Sequence, residues 1–237
     1  MLKHSIIVLA LSFAAQANAA DITQWNFNSV PADTSTATGT TVPNLGMGSI
    51  LLLNGVTNPS FNSGVGSSDT STAANNSGFQ TTNYASQGTQ NKLSGVQFNV
   101  STLGFEDIVI NYDLRHSNTS SRYEQFQYSL DGTSFIDFAL FDGNAGDTWF
   151  NNRTVNLSAI TGADNNNSFA FRVVSAFAPG TSSYAASRST SNYEGGTWRF
   201  DMVTVSGTAT APIPEPETYA MFLAGLGLMG FASRRKQ

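Results

Sequence analysis

The chain of 237 residues contains no cysteine. Disulfides, thiolate nucleophiles and cysteine-containing zinc sites are therefore excluded, and an exported chain of this kind must be held together by its core alone. Histidine is nearly as scarce, with only His4 and His116. His4 falls in the N-terminal segment read below as a signal peptide, so a Ser-His-Asp triad would need His116 as its base, and no Gly-x-Ser-x-Gly nucleophile elbow accompanies it. Charge is sparse at 11% of residues, which suits a β protein carrying long polar loops. Between Ala20 and Ile213 there are fourteen acids and seven bases, a net charge of −7. Such a segment has no electrostatic footprint for nucleic acid or for an anionic membrane surface. No amphipathic helical pattern of useful length occurs before the last two dozen residues.

What is abundant is Asn, Ser, Thr and Gly, interrupted by short alternating runs that predict strands. Residues 22–27 (Ile-Thr-Gln-Trp-Asn-Phe) alternate apolar with polar. Residues 50–53 are a brief apolar run, and 96–100 read as a strand. In 106–114, Ile108, Ile110, Tyr112 and Leu114 share one face, with Val109, Asn111 and Asp113 on the other. In 123–130, Phe126, Tyr128 and Leu130 alternate with Gln125, Gln127 and Ser129. Asp131-Gly132 then supplies a hairpin turn, and 135–141 returns. Residues 149–157, 169–173 and 198–205 complete the set, with Trp198, Phe200 and Met202 expected on one face. The stretch 54–91 is mostly polar, broken by Phe61, Phe79 and Tyr84. A loop of that length is unusual in a compact domain; function, partial disorder or hidden short strands would each account for it. Eight or nine short strands with polar turns predict a single antiparallel jelly-roll-like β-sandwich over residues 20–210, an all-β fold. The last strand is expected to close on the sheet that holds the first.

The N-terminus has the three parts of a cleavable signal peptide over residues 1–19: Lys3 and His4, an apolar run from Ile6 to Phe13, and small residues at Ala17 and Ala19. Signal peptidase would cleave after Ala19, with Ala20 as second choice. The C-terminus is also tripartite. A proline-rich linker spans 211–218 and includes Pro214, Glu215 and Pro216. An apolar stretch runs from Tyr219 to Ala232, and a basic tail (233–237) carries Arg234, Arg235 and Lys236. As a helix the apolar stretch would be roughly 21 Å long at ~1.5 Å per residue, against a hydrocarbon core of about 30 Å, so it is a short transmembrane segment. The basic cluster would stay cytoplasmic. The prolines favour an extended approach, a shape suited to a processing enzyme's groove. An ordinary tail anchor, or a terminal helix packed on a domain, would share the apolar stretch.

In motif, apolar segment and basic stop, this tail resembles the PEP-CTERM sorting signal. The resemblance implies a partner, an exosortase, and passage through the inner membrane of a Gram-negative bacterium to the cell surface or matrix. The runs Arg115 to Phe135 and Gly195 to Gly207 also resemble a β-sandwich module of secreted bacterial proteins. That resemblance covers roughly 95–207 and implies a jelly-roll-like domain without any catalytic or ligand residue.

The residues that could carry chemistry are few. His116, in Arg115-His116-Ser117-Asn118, is expected in a wet turn just after a strand. Glycoside hydrolysis needs two carboxylates, and only Glu106, Glu124 and Glu194 are glutamates of the body. Asp142, Asn144 and Asp147 gather hard oxygen ligands suited to Ca²⁺, although Asp, Asn and Gly also make ordinary turns. Trp149, Tyr184 and Tyr193 lie near loops, where aromatic faces could stack on sugar rings; Trp25 and Trp198 read as core. The expectation is an exported, non-enzymatic surface or matrix protein without a cofactor, apart from a structural calcium in the 142–147 loop. Its β-sandwich would interact with polysaccharide or the cell envelope. The alternative is a secreted hydrolase acting on a matrix polymer.

Overall fold

Alternating apolar side chains give most strands one face to bury, and eleven strands form in a computed structural model that describes residues 19–210. They are β1 (Ala19–Trp25), β2 (Ser49–Leu53), β3 (Phe61–Ser63), β4 (Ser77–Thr81), β5 (Gly95–Asn99), β6 (Phe105–His116), β7 (Tyr123–Ser129), β8 (Ile136–Asp142), β9 (Thr148–Asn156), β10 (Ala170–Ala176) and β11 (Trp198–Ala209). The one helical element among the described residues is a single 3₁₀ turn, Thr161–Ala163. The signal peptide up to Asn18, the sorting motif, the apolar segment and the basic tail lie outside the described residues. Of the cleavage-site pair, Ala17 lies outside them, while Ala19 is exposed at the start of β1 opposite Thr208.

Two antiparallel sheets result. The first has the order β3-β4-β11-β6-β9, with β1 also paired to β11. The N-terminal end of β11 (Trp198 to Phe200) pairs with β4, while Val203 to Thr208 pair with β1. First and last strands therefore share a sheet, as the sequence predicts. The second sheet has the order β2-β5-β10-β7-β8. From β4 to β11 the order is β4-β11-β6-β9 on one side and β5-β10-β7-β8 on the other, the jelly-roll interleaving of eight strands. Turn chemistry acts where the sequence places it. Asp131 Oδ1 accepts the Ser134 and Thr133 N–H groups at 2.6 and 2.8 Å, and Gly132 takes φ +75°. Those amides hold the Asp131 carboxyl well below the usual carboxylate range.

Aromatic rings bridge the sheets. Phe98 of β5 meets Trp25 of β1 at 5.3 Å and Phe200 of β11 at 6.1 Å, and stacks on Phe171, which stacks on Phe126. Ile108, Ile110, Tyr112 and Leu114 are all buried. Two expectations change, and one open alternative is settled. Met202 does not follow Trp198 and Phe200 inward: the register shifts between Asp201 and Thr204, Met202 takes φ +46°, and Val203 and Val205 turn into the core. Gln125 and Gln127, expected on an outer face, are buried, their amides bonded to Ala139 O and Asp137. The polar stretch 54–91 contains β3 and β4, with Phe79 stacked on Phe27 at 5.1 Å.

Candidate functional site

His116 is not in a wet turn. It is the last residue of β6, fully buried, because β6 runs two residues further than the alternation suggests. Both ring nitrogens face acceptors: Nδ1 lies 2.8 Å from Ser121 O and Nε2 lies 3.2 Å from Glu124 Oε2. The indole N–H of Trp198 donates to the same Ser121 carbonyl. Glu124, also fully buried, has its other oxygen 2.8 Å from Arg153 Nε. That contact lacks hydrogen-bond alignment, so it is an ion pair by proximity. The guanidinium lies over Phe141 and Phe150 and donates to Asp142 O. This cross-sheet cluster has no exposure through which His116 or Glu124 could touch a substrate.

The surface above it is more open. Three loops meet at the end of the sandwich beyond the C-terminus of β6: 82–87, 117–121 and 184–197. Their backbones are bridged at Ser120 to Gly195 and at Ser121 to Ala186. Gly196 allows the approach, since a Cβ there would stand 2.4 Å from Ser120 N. Between the loops lie two adjoining hollows of about 340 and 260 Å³ that share Tyr84, Glu194 and Gly195. Thr82, Asn83, Thr119 and Thr197 line one; Ser86, Gln87 and Tyr193 line the other. Tyr84 forms the floor, its ring 4.9 Å from Trp198. Burial pushes the Tyr84 and Tyr193 hydroxyls upward, so both remain protonated donors.

Two of the aromatic candidates meet here. Tyr193 is half-buried, its ring stacked on Tyr184 at 4.5 Å and its hydroxyl donating to Ala85 O. Tyr184 itself is buried, contrary to the platform expected of it. Its hydroxyl donates to Thr89 O, and Gln87 brackets its backbone with two hydrogen bonds. It supports Tyr193 and does not offer a face of its own. Trp149 is half-buried elsewhere, on β9, with its indole N–H on Val65 O. Of the loop residues, the adjacent Gly195-Gly196 pair was the available signal; Thr119 and Gln87 carry none in sequence.

The proposed calcium ligands are engaged by cations. Asp142 holds Arg122 through both oxygens at 2.7 Å, and this pair lowers its carboxyl's affinity for protons. Asp147 accepts from Arg115 and from Asn118. Asn144 is exposed beside them. Among the described residues no three His, Asp or Glu side chains form a ready-made metal cage. Glu124 is buried, and the two other glutamates do not converge. Glu106 is at the start of β6 and Glu194 lies by Thr119, beyond its end. Ten strand residues at ~3.3 Å separate them by roughly 33 Å, against the ~5–9.5 Å that glycosidase carboxylates require.

The fold is thus an all-β body of two antiparallel sheets, with a polar, aromatic-edged hollow at one end. Residues 212–236 match the PEP-CTERM protein-sorting motif. The chain is therefore an exported protein with an exosortase as its processing partner. No curated protein matches the sequence. Among solved structures, the K3 cleaved adhesin domain of Lys-gingipain from Porphyromonas gingivalis w83 is similar at 12% identity, over 55% of this chain and 74% of that one, with a TM-score of 0.32. The K2 cleaved adhesin domain of Lys-gingipain is similar at 11% identity, over 78% and 97%, with a TM-score of 0.37. At these scores neither likeness bears on function.

Proposed function

We propose that this is a non-enzymatic surface or matrix protein whose β-sandwich engages polysaccharide or an envelope component through the loop-end hollow. A cleavable signal peptide starts export. The 219–232 segment holds the chain briefly in the inner membrane, and an exosortase then delivers it to the surface or matrix. The observation that carries this reading is the sorting motif at 212–236. Exosortase systems accompany exopolysaccharide production, which makes a polymer of sugars the first ligand to try. The hollow supports it with polar side chains, the Glu194 carboxylate and the half-buried ring of Tyr193.

The test pairs glycan-array and envelope-fraction binding with hydrolysis assays on the same purified body, residues 20–210. Binding without turnover is expected, with Tyr193→Ala weakening it by about tenfold, or ~1.4 kcal/mol. Hydrolysis of a matrix polymer would favour the secreted-hydrolase alternative. Binding unaffected by Tyr193→Ala would remove the hollow from the reading.

A further inference from the structure

The outer face of the first sheet carries a concentration of negative charge that, among the described residues, no cationic side chain pairs with. Asp113 and Asp201 are cross-strand partners on β6 and β11, each next to a residue that faces the core. They should be solvated on the outer side, yet both are buried, at 1% and 0% exposure, beneath the loop 64–76. Ser68 N–H donates to Asp113, Ser67 Oγ donates to Asp201 Oδ2 at 2.7 Å, and Met202 N–H donates to Asp201 Oδ1. Asp69 stands in the same loop and accepts from Asn28 and the Ser71 N–H. Among the described residues no Lys, Arg or His forms an ion pair with any of these three aspartates. Like charges placed opposite each other on neighbouring strands destabilise a sheet, and burying them unpaired costs more.

A second observation points to what is missing. Asn76 is 3% exposed, and its Oδ1 has no hydrogen-bond partner. A Cβ on Gly64 would lie 1.7 Å from that oxygen and 2.6 Å from Asp201 Oδ2, so the two acceptors are no more than about 4.3 Å apart. An orphan amide oxygen beside a buried carboxylate asks for a positive partner. A proton on Asp201 would answer Asn76 but bring no cation to Asp113, which accepts the Ser68 and Asn152 N–H groups, or to Asp69. A hard divalent ion answers all of them, since Ca²⁺ takes six to eight oxygens from carboxylates, amides, hydroxyls and water.

We propose that Asp201, Asn76 Oδ1 and Ser67 Oγ, backed by the charge of Asp69 and Asp113, bind one divalent cation of the calcium class. The ion pins the 64–76 loop to the outer face of the first sheet. The site is distinct from the 142–147 loop, and it does not depend on the loop-end hollow binding any glycan. With few direct carboxylates its affinity belongs in the range of extracellular modules, with Kd roughly 10⁻⁴–10⁻³ M.

The test uses the full chain in detergent, stripped with chelator and titrated with CaCl₂ by calorimetry and thermal unfolding. One Ca²⁺ per chain is expected, with Tm raised by roughly 3–6 °C at ten times Kd. Asn76→Ala should weaken binding at least tenfold, and Asp142→Asn should leave it unchanged. Neither heat nor Tm shift with Ca²⁺ would overturn the proposal. So would a Ca²⁺ response lost in Asp142→Asn and kept in Asn76→Ala. Asp201→Asn that stabilises the metal-free chain and abolishes nothing would assign a proton to the site and overturn it too. If Asp201→Asn does not fold, Tb³⁺ luminescence of the unsubstituted chain decides. Trp149, whose indole lies against Gly66 of the same loop, should sensitise emission that Ca²⁺ displaces and that Trp149→Phe reduces. Absence of displaceable emission counts against the site.

Discussion

Arg153 is the side chain whose loss should be felt most among the charged residues. Glu124 is fully buried at the meeting of the two sheets, and the Arg153 guanidinium, 17% exposed, approaches it at 2.8 Å. The same guanidinium lies 4.7 Å from the Phe150 ring centroid and 5.0 Å from that of Phe141. Arg153→Met keeps most of the packing volume and removes the charge. Breaking a buried ion pair by deleting one partner costs about 3–5 kcal/mol, because the other charge is left uncompensated. His116 still touches the second Glu124 oxygen at 3.2 Å, which places the loss at the lower end, about 3 kcal/mol. For a domain of this size that is a fall in Tm of roughly 6–12 °C. The assay is chemical and thermal unfolding of the body, followed by tryptophan fluorescence and circular dichroism. Glu124→Gln and the Glu124→Gln/Arg153→Met pair complete a double-mutant cycle. Removing the carboxylate's charge should rescue much of the Arg153→Met loss, giving a coupling of at least about 1.5 kcal/mol. A single-variant loss below about 1 kcal/mol, or strict additivity in the cycle, would refute the reasoning.

The same unfolding assay should show Phe126→Ala costing about 3–5 kcal/mol, since its ring is fully buried and stacked on Phe171. Gln127→Ala should cost about 1 kcal/mol, above the ~0.5 kcal/mol of a surface change, because Gln127 is buried and its amide donates to Asp137. Mass spectrometry of surface-released protein should find no Tyr219–Gln237 peptide, and Pro214→Ala with Pro216→Ala should retain the chain in the inner membrane. An intact C-terminus on mature protein, in a host with its exosortase, would count against processing.

The strands with strict alternation were legible because a half-buried strand repeats every two residues. That is why β6, β7 and β10 lie where Ile108, Phe126 and Phe171 place them. β3 and β4 were not, being only three and five residues long and built largely from Ser, Gly, Asn and Gln. The reversal at Met202 was hidden for another reason: a bulge is one extra residue in the pairing, and pairing is not written in one strand's own sequence. The sorting tail is linear and local, so its parts could be read in order without any fold.

The sites are different, because they are made by partners distant in the chain. His116 looked like a turn residue until β6 continued and brought Ser121 and Glu124 against its two nitrogens. Tyr184 looked like a platform until Tyr193 stacked on it. Asp113, Asp201 and Asn76 are separated by 37 to 125 positions, and no spacing rule could have joined them. Composition and periodicity by themselves determined an all-β, acidic, cysteine-free body, and the order of parts in the tail carried its resemblance to a sorting signal. Which polar groups were to be buried together was decided only when two sheets closed on one another and loop 64–76 covered one of them, since burial is a property of contacts between segments and not of any segment alone.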